Sequence, residues 1–102
     1  MKRYRLTKTA QSDIDDIWVY IARKSGSVAP AERLIWRLYR AIVNLASQPG
    51  IGLPCPEIDA EGLAFPVGNY VIYYRQESSR IVITHVFHGM RDQKRAWRGT
   101  KP

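Results

Sequence analysis

The chain is poor in cysteine, in acidic residues and in long apolar runs, and each shortage closes off a class of function. It has one cysteine in 102 residues, Cys55, set between two prolines. A lone thiol forms no internal disulfide and has no second sulfur for a zinc site, so Cys55 reads as an idle or buried side chain. The only histidines are His85 and His88. Three residues apart in a strand, they point to opposite faces, and no carboxylate or thiol lies at a ligand spacing from them. No metal and no cofactor are therefore expected. No stretch approaches the roughly 18–20 consecutive apolar residues of a membrane span, and the opening Met-Lys-Arg-Tyr-Arg-Leu-Thr lacks an apolar signal core. The expected compartment is the cytoplasm, with no membrane partner. Glycine-rich phosphate loops, dinucleotide-binding glycine patterns and the Gly-x-Ser-x-Gly elbow are all missing, which argues against the enzymes that need them.

Acid is scarce beside base. Sixteen Lys and Arg against nine Asp and Glu give a net charge of +7 and a pI near 9.9. That balance favours an anionic partner, either nucleic acid or an acidic protein. Lys2, Arg3, Arg5 and Lys8 crowd one end, and Arg80, Arg91, Lys94, Arg95, Arg98 and Lys101 dominate the other. The acids gather in Asp13, Asp15 and Asp16 and again in Glu57, Asp59 and Glu61.

The 45% hydrophobic and 25% charged composition suits one globular domain spanning residues 1–102. Tyr4 to Leu6 reads as a short strand. Thr7 or Thr9 then caps a helix carrying the stripe Ala10, Ile14, Ile17, Trp18 and Ile21, with Asp13, Asp15 and Asp16 beside its N-terminal dipole. Ser25-Gly26-Ser27 ends that helix. A second helix opens around Pro30 and runs to about Ser47, with Ala31, Leu34, Ile35, Leu38, Ile42, Leu45 and Ala46 on one arc of about 120°. Residues 51–62 read as a loop. Leu63 to Val67, Tyr70 to Arg75 and Ile81 to Phe87 read as strands, the first two joined by Gly68-Asn69, where both residues tolerate positive φ. The fold class expected is α+β, in the order β-α-α-β-β-β. Its helical hairpin packs on one face of a small antiparallel sheet, and a basic C-terminal tail follows, possessing one helical turn from Asp92 at most.

Three sets of residues stand apart from this scaffold. Trp36, Tyr39 and Val43, flanked by Val19 and Tyr20, fall outside the core-facing arc and form a second apolar stripe, the kind of surface on which a protein partner anchors. Arg75 ends an aromatic and aliphatic strand, where its guanidinium can clamp a phosphate or carboxylate. The tail sets Arg91, Arg95 and Arg98 around Trp97, a mixture suited to nucleic acid or acidic protein. RNA cleavage would need an acid–base pair beside phosphate-holding cations, and His88, Arg75 and Arg91 could supply part of one.

Tyr4-Arg5-Leu6-Thr7, Ala10, Asp13-Ile14, Ile17-Trp18 and Tyr20-Ile21-Ala22 resemble the opening of the RelE/ParE toxin superfamily. Ala41, Leu45-Ala46, Pro49-Gly50, Phe65-Pro66-Val67-Gly68-Asn69-Tyr70 and Val86-Phe87-His88-Gly89-Met90-Arg91-Asp92 continue the likeness in order, and it is greatest to the ParE branch. The resemblance implies a type II toxin neutralised by a cognate antitoxin within a hetero-oligomer. For the ParE branch it implies inhibition of DNA gyrase without catalysis, and for the RelE branch ribosome-dependent cleavage of messenger RNA. The segment ahead of the sheet carries Glu57, Asp59 and Glu61 in place of a lysine-rich loop, and such carboxylates repel an RNA backbone. Were the chain a nuclease, Glu57, Arg75, His88 and Arg91 would be its catalytic candidates. As a gyrase inhibitor it would meet its target through Arg75, Arg91, Arg95, Trp97 and Arg98, and its antitoxin through Trp36, Tyr39 and Val43. A third reading is a basic RNA- or DNA-binding module without toxicity.

Overall fold

A computed structural model describes residues 3–89 of the chain. Arg91, Arg95, Trp97, Arg98 and the helical turn expected from Asp92 lie outside the described residues. The order is β1 (Tyr4–Leu6), α1 (Lys8–Ser25), α2 (Val28–Ser47), a 3-10 turn (Pro49–Ile51), β2 (Leu53–Pro54), β3 (Leu63–Val67), β4 (Tyr70–Gln76) and β5 (Ile81–His88).

Local chemistry sets the helix ends. The Thr7 side chain accepts the Ala10 N–H at 3.0 Å and starts α1. Gly26 ends it in the left-handed region at φ 72, a conformation glycine adopts without the Cβ clash other residues suffer. Ser27 immediately caps α2. With only Gly26 and Ser27 between them, the helices must fold back as an antiparallel pair. Pro30 sits in the first turn of α2, where a missing N–H costs nothing. The expectation that Asp13, Asp15 and Asp16 serve the helix dipole needs correction: no acid lies in the first turn of α1, and Asp13 is buried.

The five strands lie in the order β1-β5-β4-β3-β2. β3, β4 and β5 form the expected antiparallel meander. At the Gly68-Asn69 turn only Gly68 takes positive φ, at 59, the backbone pattern of a type II′ hairpin. Two features depart from the expected antiparallel sheet. β1 pairs parallel to β5, making the sheet mixed; a three-residue strand carries no signature of direction, so docking on β5 decides it. Within the segment that read as loop, Leu53 and Pro54 pair antiparallel with β3.

One extra residue governs which side chains face which way. Tyr73 pairs with His85 and Tyr74 with Ile83, leaving Thr84 as a bulge in β5. Its hydroxyl donates to the Tyr73 carbonyl, and its own carbonyl accepts the Thr7 hydroxyl, both at 3.2 Å. The bulge shifts the alternation by one, so Ile81, Ile83 and Val86 all face the helices. There they meet Ile72 and Tyr74 of β4, Ala10, Ile14 and Ile17 of α1, and Leu38, Ile42 and Leu45 of α2. Val82, His85 and Phe87 are turned to the other, helix-free face, beside Arg75, Tyr73 and Val71.

Candidate functional site

The helical hairpin presents an apolar outer surface. On α2, Trp36 is 67% exposed and Val43 51%, whereas Tyr39 is half-buried and packs against the margin of the core. Burial, then the neighbouring Tyr4, raises the Tyr39 hydroxyl above its ordinary pKa. Trp18, Glu32 and Ile35 join Trp36 and Tyr39 around an open groove of ≈ 520 Å³. Val19 and Tyr20 of α1 are also exposed and border a second concavity with Asp16, Arg23 and Lys24. The stripe read from the sequence is therefore exposed at both ends and only half-exposed at Tyr39.

The helix-free face of the sheet carries an aromatic cluster. His85 stacks on Phe87 with ring centroids 5.0 Å apart and planes 17° apart, and Tyr73 meets Phe87 edge-on at 5.7 Å. Burial pushes the Tyr73 hydroxyl up. At the edge of β5, beyond the end of β1, the buried Asp13 carboxylate accepts the Val86 N–H at 3.1 Å. The same oxygen, Oδ2, lies 3.6 Å from His85 Nδ1. Sequence reasoning missed this arrangement. Its one legible signal is that Asp13 lies beside Ile14 on the stripe Ala10–Ile14–Ile17, where a carboxylate is out of place unless something binds it.

Two of the nuclease candidates, Arg75 and His88, lie on opposite faces of the sheet. Arg75 lies on the helix-free face, where its guanidinium nitrogens stand 3.9 Å from Asp59 and 3.5 Å from Glu77. His88 pairs with Tyr70 on the helix-facing side and meets its ring edge-on at 5.2 Å. Glu57 is exposed on the loop ahead of β3 and accepts the Cys55 thiol at 3.4 Å. Burial and that bond to Glu57 raise the Cys55 pKa, holding it as an unreactive thiol. Arg91 is outside the described residues, as are Arg95, Trp97 and Arg98 of the tail. Among the described residues no group of three or more His, Cys, Asp or Glu could hold a metal ion, and no helix is long and apolar enough to cross a membrane.

Comparison with known proteins agrees with this architecture. The family model described as the ParE toxin of the type II toxin–antitoxin system parDE matches residues 4–93. The chain is 35% identical over 88 residues to Toxin ParE1 of Caulobacter vibrioides, an alignment covering 86% of this chain and 90% of that protein. It is 30% identical over 94 residues to Toxin ParE1 of Mycobacterium tuberculosis, covering 91% and 95%. A solved structure from the chromosomal ParDE TA system of P. aeruginosa superposes with a TM-score of 0.74 at 16% identity, over 86% of this chain and 96% of that one; it shares the fold. Matched from the first strand to beyond the last, the chain belongs to the ParE toxin family of type II toxin–antitoxin systems.

Proposed function

We propose that this toxin arrests growth by binding and inhibiting DNA gyrase in the cytoplasm, without cleaving RNA, and is held inactive in a hetero-oligomer with a cognate antitoxin. The observation that carries the choice of target is the separation of Arg75 from His88. General acid–base cleavage of RNA needs proton-transfer groups and phosphate-holding cations converging on one bond. Here Arg75 and His88 lie on opposite faces of the sheet. Membership of the ParE family supports the same reading. The antitoxin is assigned to the outer surface of the helical hairpin, where Trp36 and Val43 are exposed and Tyr39 borders an open groove. An aromatic anchor seated in such a groove is the usual centre of a protein interface.

The decisive experiment compares two activities of the purified chain, supercoiling by gyrase and integrity of ribosome-bound messenger. Loss of supercoiling with intact messenger is expected. Messenger cleavage abolished by Arg75→Ala or His88→Ala would overturn the reading in favour of a ribosome-dependent endoribonuclease.

A further inference from the structure

We propose that Arg3, Arg5, Arg75 and Arg80 form a docking surface for the phosphate backbone of duplex DNA, on the helix-free face of the sheet at its Ser78-Ser79 end. The choice of duplex DNA over RNA rests on the gyrase reading; the surface itself rests on strand register.

Arg5 and Arg75 both pair with Val82, one from β1 and one from β4, so the three residues form a row across the sheet. One step towards the turn, the Arg3 carbonyl accepts the Ile81 N–H, continuing the β1–β5 ladder and placing Arg3 beside Arg80. Alternation puts Arg3 and Arg5 on one face, and Arg80 with Val82 on that same face. Four arginines thus fall in two adjacent rows over three strands, a patch about 10 Å wide at the usual strand spacing. Two acids reach it. Glu77 lies 3.5 Å from Arg75 and 3.7 Å from Arg80, and Asp59 lies 3.9 Å from Arg75. Pairs this long on groups about a third accessible hold weakly and can exchange for a phosphate. Arg3 and Arg5 are exposed and form no ion pair among the described residues.

The apolar content of the patch argues for nucleic acid over protein. Its one hydrophobic residue, Val82, is 0% exposed, so the patch offers no exposed apolar anchor for a protein interface. The patch is a flat sheet surface with no element shaped to enter a groove, so binding is to the backbone and independent of base sequence.

The test is fluorescence anisotropy of the full chain with labelled duplex DNA of mixed sequence, titrated with salt, in parallel with the supercoiling assay. The triple variant Arg3→Ala/Arg5→Ala/Arg80→Ala should lower the slope of log affinity against log salt by about 0.9 for each phosphate no longer neutralised, about 2–3 in all. The lysine counterpart, Arg3→Lys/Arg5→Lys/Arg80→Lys, should restore most of that slope, and circular dichroism should show both variants folded. An unchanged slope in the alanine variant would overturn the proposal. So would tighter binding of single-stranded RNA, or equal binding of a polyglutamate peptide. Duplex binding that depends on these arginines, in a chain that leaves gyrase unaffected, would sink the gyrase reading and leave the surface standing.

Discussion

The carboxylate of Asp13 accepts the backbone N–H of Val86 at 3.1 Å, joining the second turn of α1 to the edge of β5. β1 ends at Leu6 opposite Ile83, so beyond that point β5 is paired with β4 on one side and has no strand on the other. Asp13 substitutes for the missing strand at the position where an unpaired edge amide would otherwise be buried beneath a helix.

Asp13→Ala should therefore destabilise the domain by about 1–3 kcal/mol, the cost of a buried donor left without an acceptor. Asp13→Asn keeps an oxygen in place and should recover much of that loss. Urea denaturation followed by tryptophan fluorescence measures both. An Asp13→Ala midpoint equal to that of the parent would mean that water satisfies Val86 and that the carboxylate is dispensable.

Tyr74 closes the loop that leads from α2 into the sheet. Its buried hydroxyl accepts the Gly52 N–H and donates to the Pro49 carbonyl, each at 2.9 Å. Tyr74→Phe strands both backbone groups and should cost about 1–3 kcal/mol. Gly52→Ala should do comparable damage, because a Cβ there would lie on the Tyr74 hydroxyl and 2.8 Å from its Cε1. Thermal unfolding of the two single variants and the double variant would show coupling, since both act on the same pair of residues.

Burial raises the hydroxyl pKa of Tyr39, Tyr73 and Tyr74 above the ordinary 10.0. The folded state holds these protons at pH values where the unfolded chain has released them. Their contribution is thus complete below pH 10 and is lost as pH rises through the higher folded values. Stability should fall steeply in alkali, and less steeply in Tyr73→Phe. A pH titration of the urea midpoint that gave the same alkaline slope for both proteins would refute this.

Cys55 should alkylate slowly at neutral pH, because burial and its bond to Glu57 both disfavour the thiolate. Glu57→Ala removes the second cause and should speed reaction with iodoacetamide. Equal rates in parent and variant would show that burial alone controls the thiol.

Trp36→Glu should leave folding within about 0.5 kcal/mol of the parent, as the side chain is 67% exposed, while weakening antitoxin binding measured by calorimetry. Leu38→Ala, two residues further along α2 and fully buried, should cost about 2–5 kcal/mol. Undiminished antitoxin affinity in Trp36→Glu would move the antitoxin surface elsewhere.

Much of the scaffold was legible because its causes are local. The Thr7 cap, the Gly26 stop, the Ser27 restart and the Gly68 turn each act within a few residues of themselves. The apolar stripe of α2 likewise named the side chains that reach the core. What escaped was long-range. The parallel docking of β1 and the two-residue β2 are set by partners far along the chain, and neither segment is long enough to carry a hydropathy signature of its own. Of the proposed antitoxin-facing residues, Trp36 and Val43 are exposed as the pattern implied, while Tyr39 is partly drawn into the core because its position borders the buried arc.

The sequence alone determined an α+β fold, its two helices, its meander and its likeness to a toxin family, since periodicity, caps and ordered motifs are written in consecutive residues. Only the tertiary structure decided which face each functional side chain occupies. Thr84, one residue with no partner across the ladder, reverses the alternation of β5. It turns His85 to the helix-free face, with Nδ1 still 3.6 Å from Asp13 Oδ2 at the sheet edge, and puts His88 on the helix-facing side, away from Arg75. Pairing across dozens of residues then sets Arg3 and Arg5 beside Arg80 and Arg75, an arrangement fixed by hydrogen-bond register between strands and invisible along any one of them.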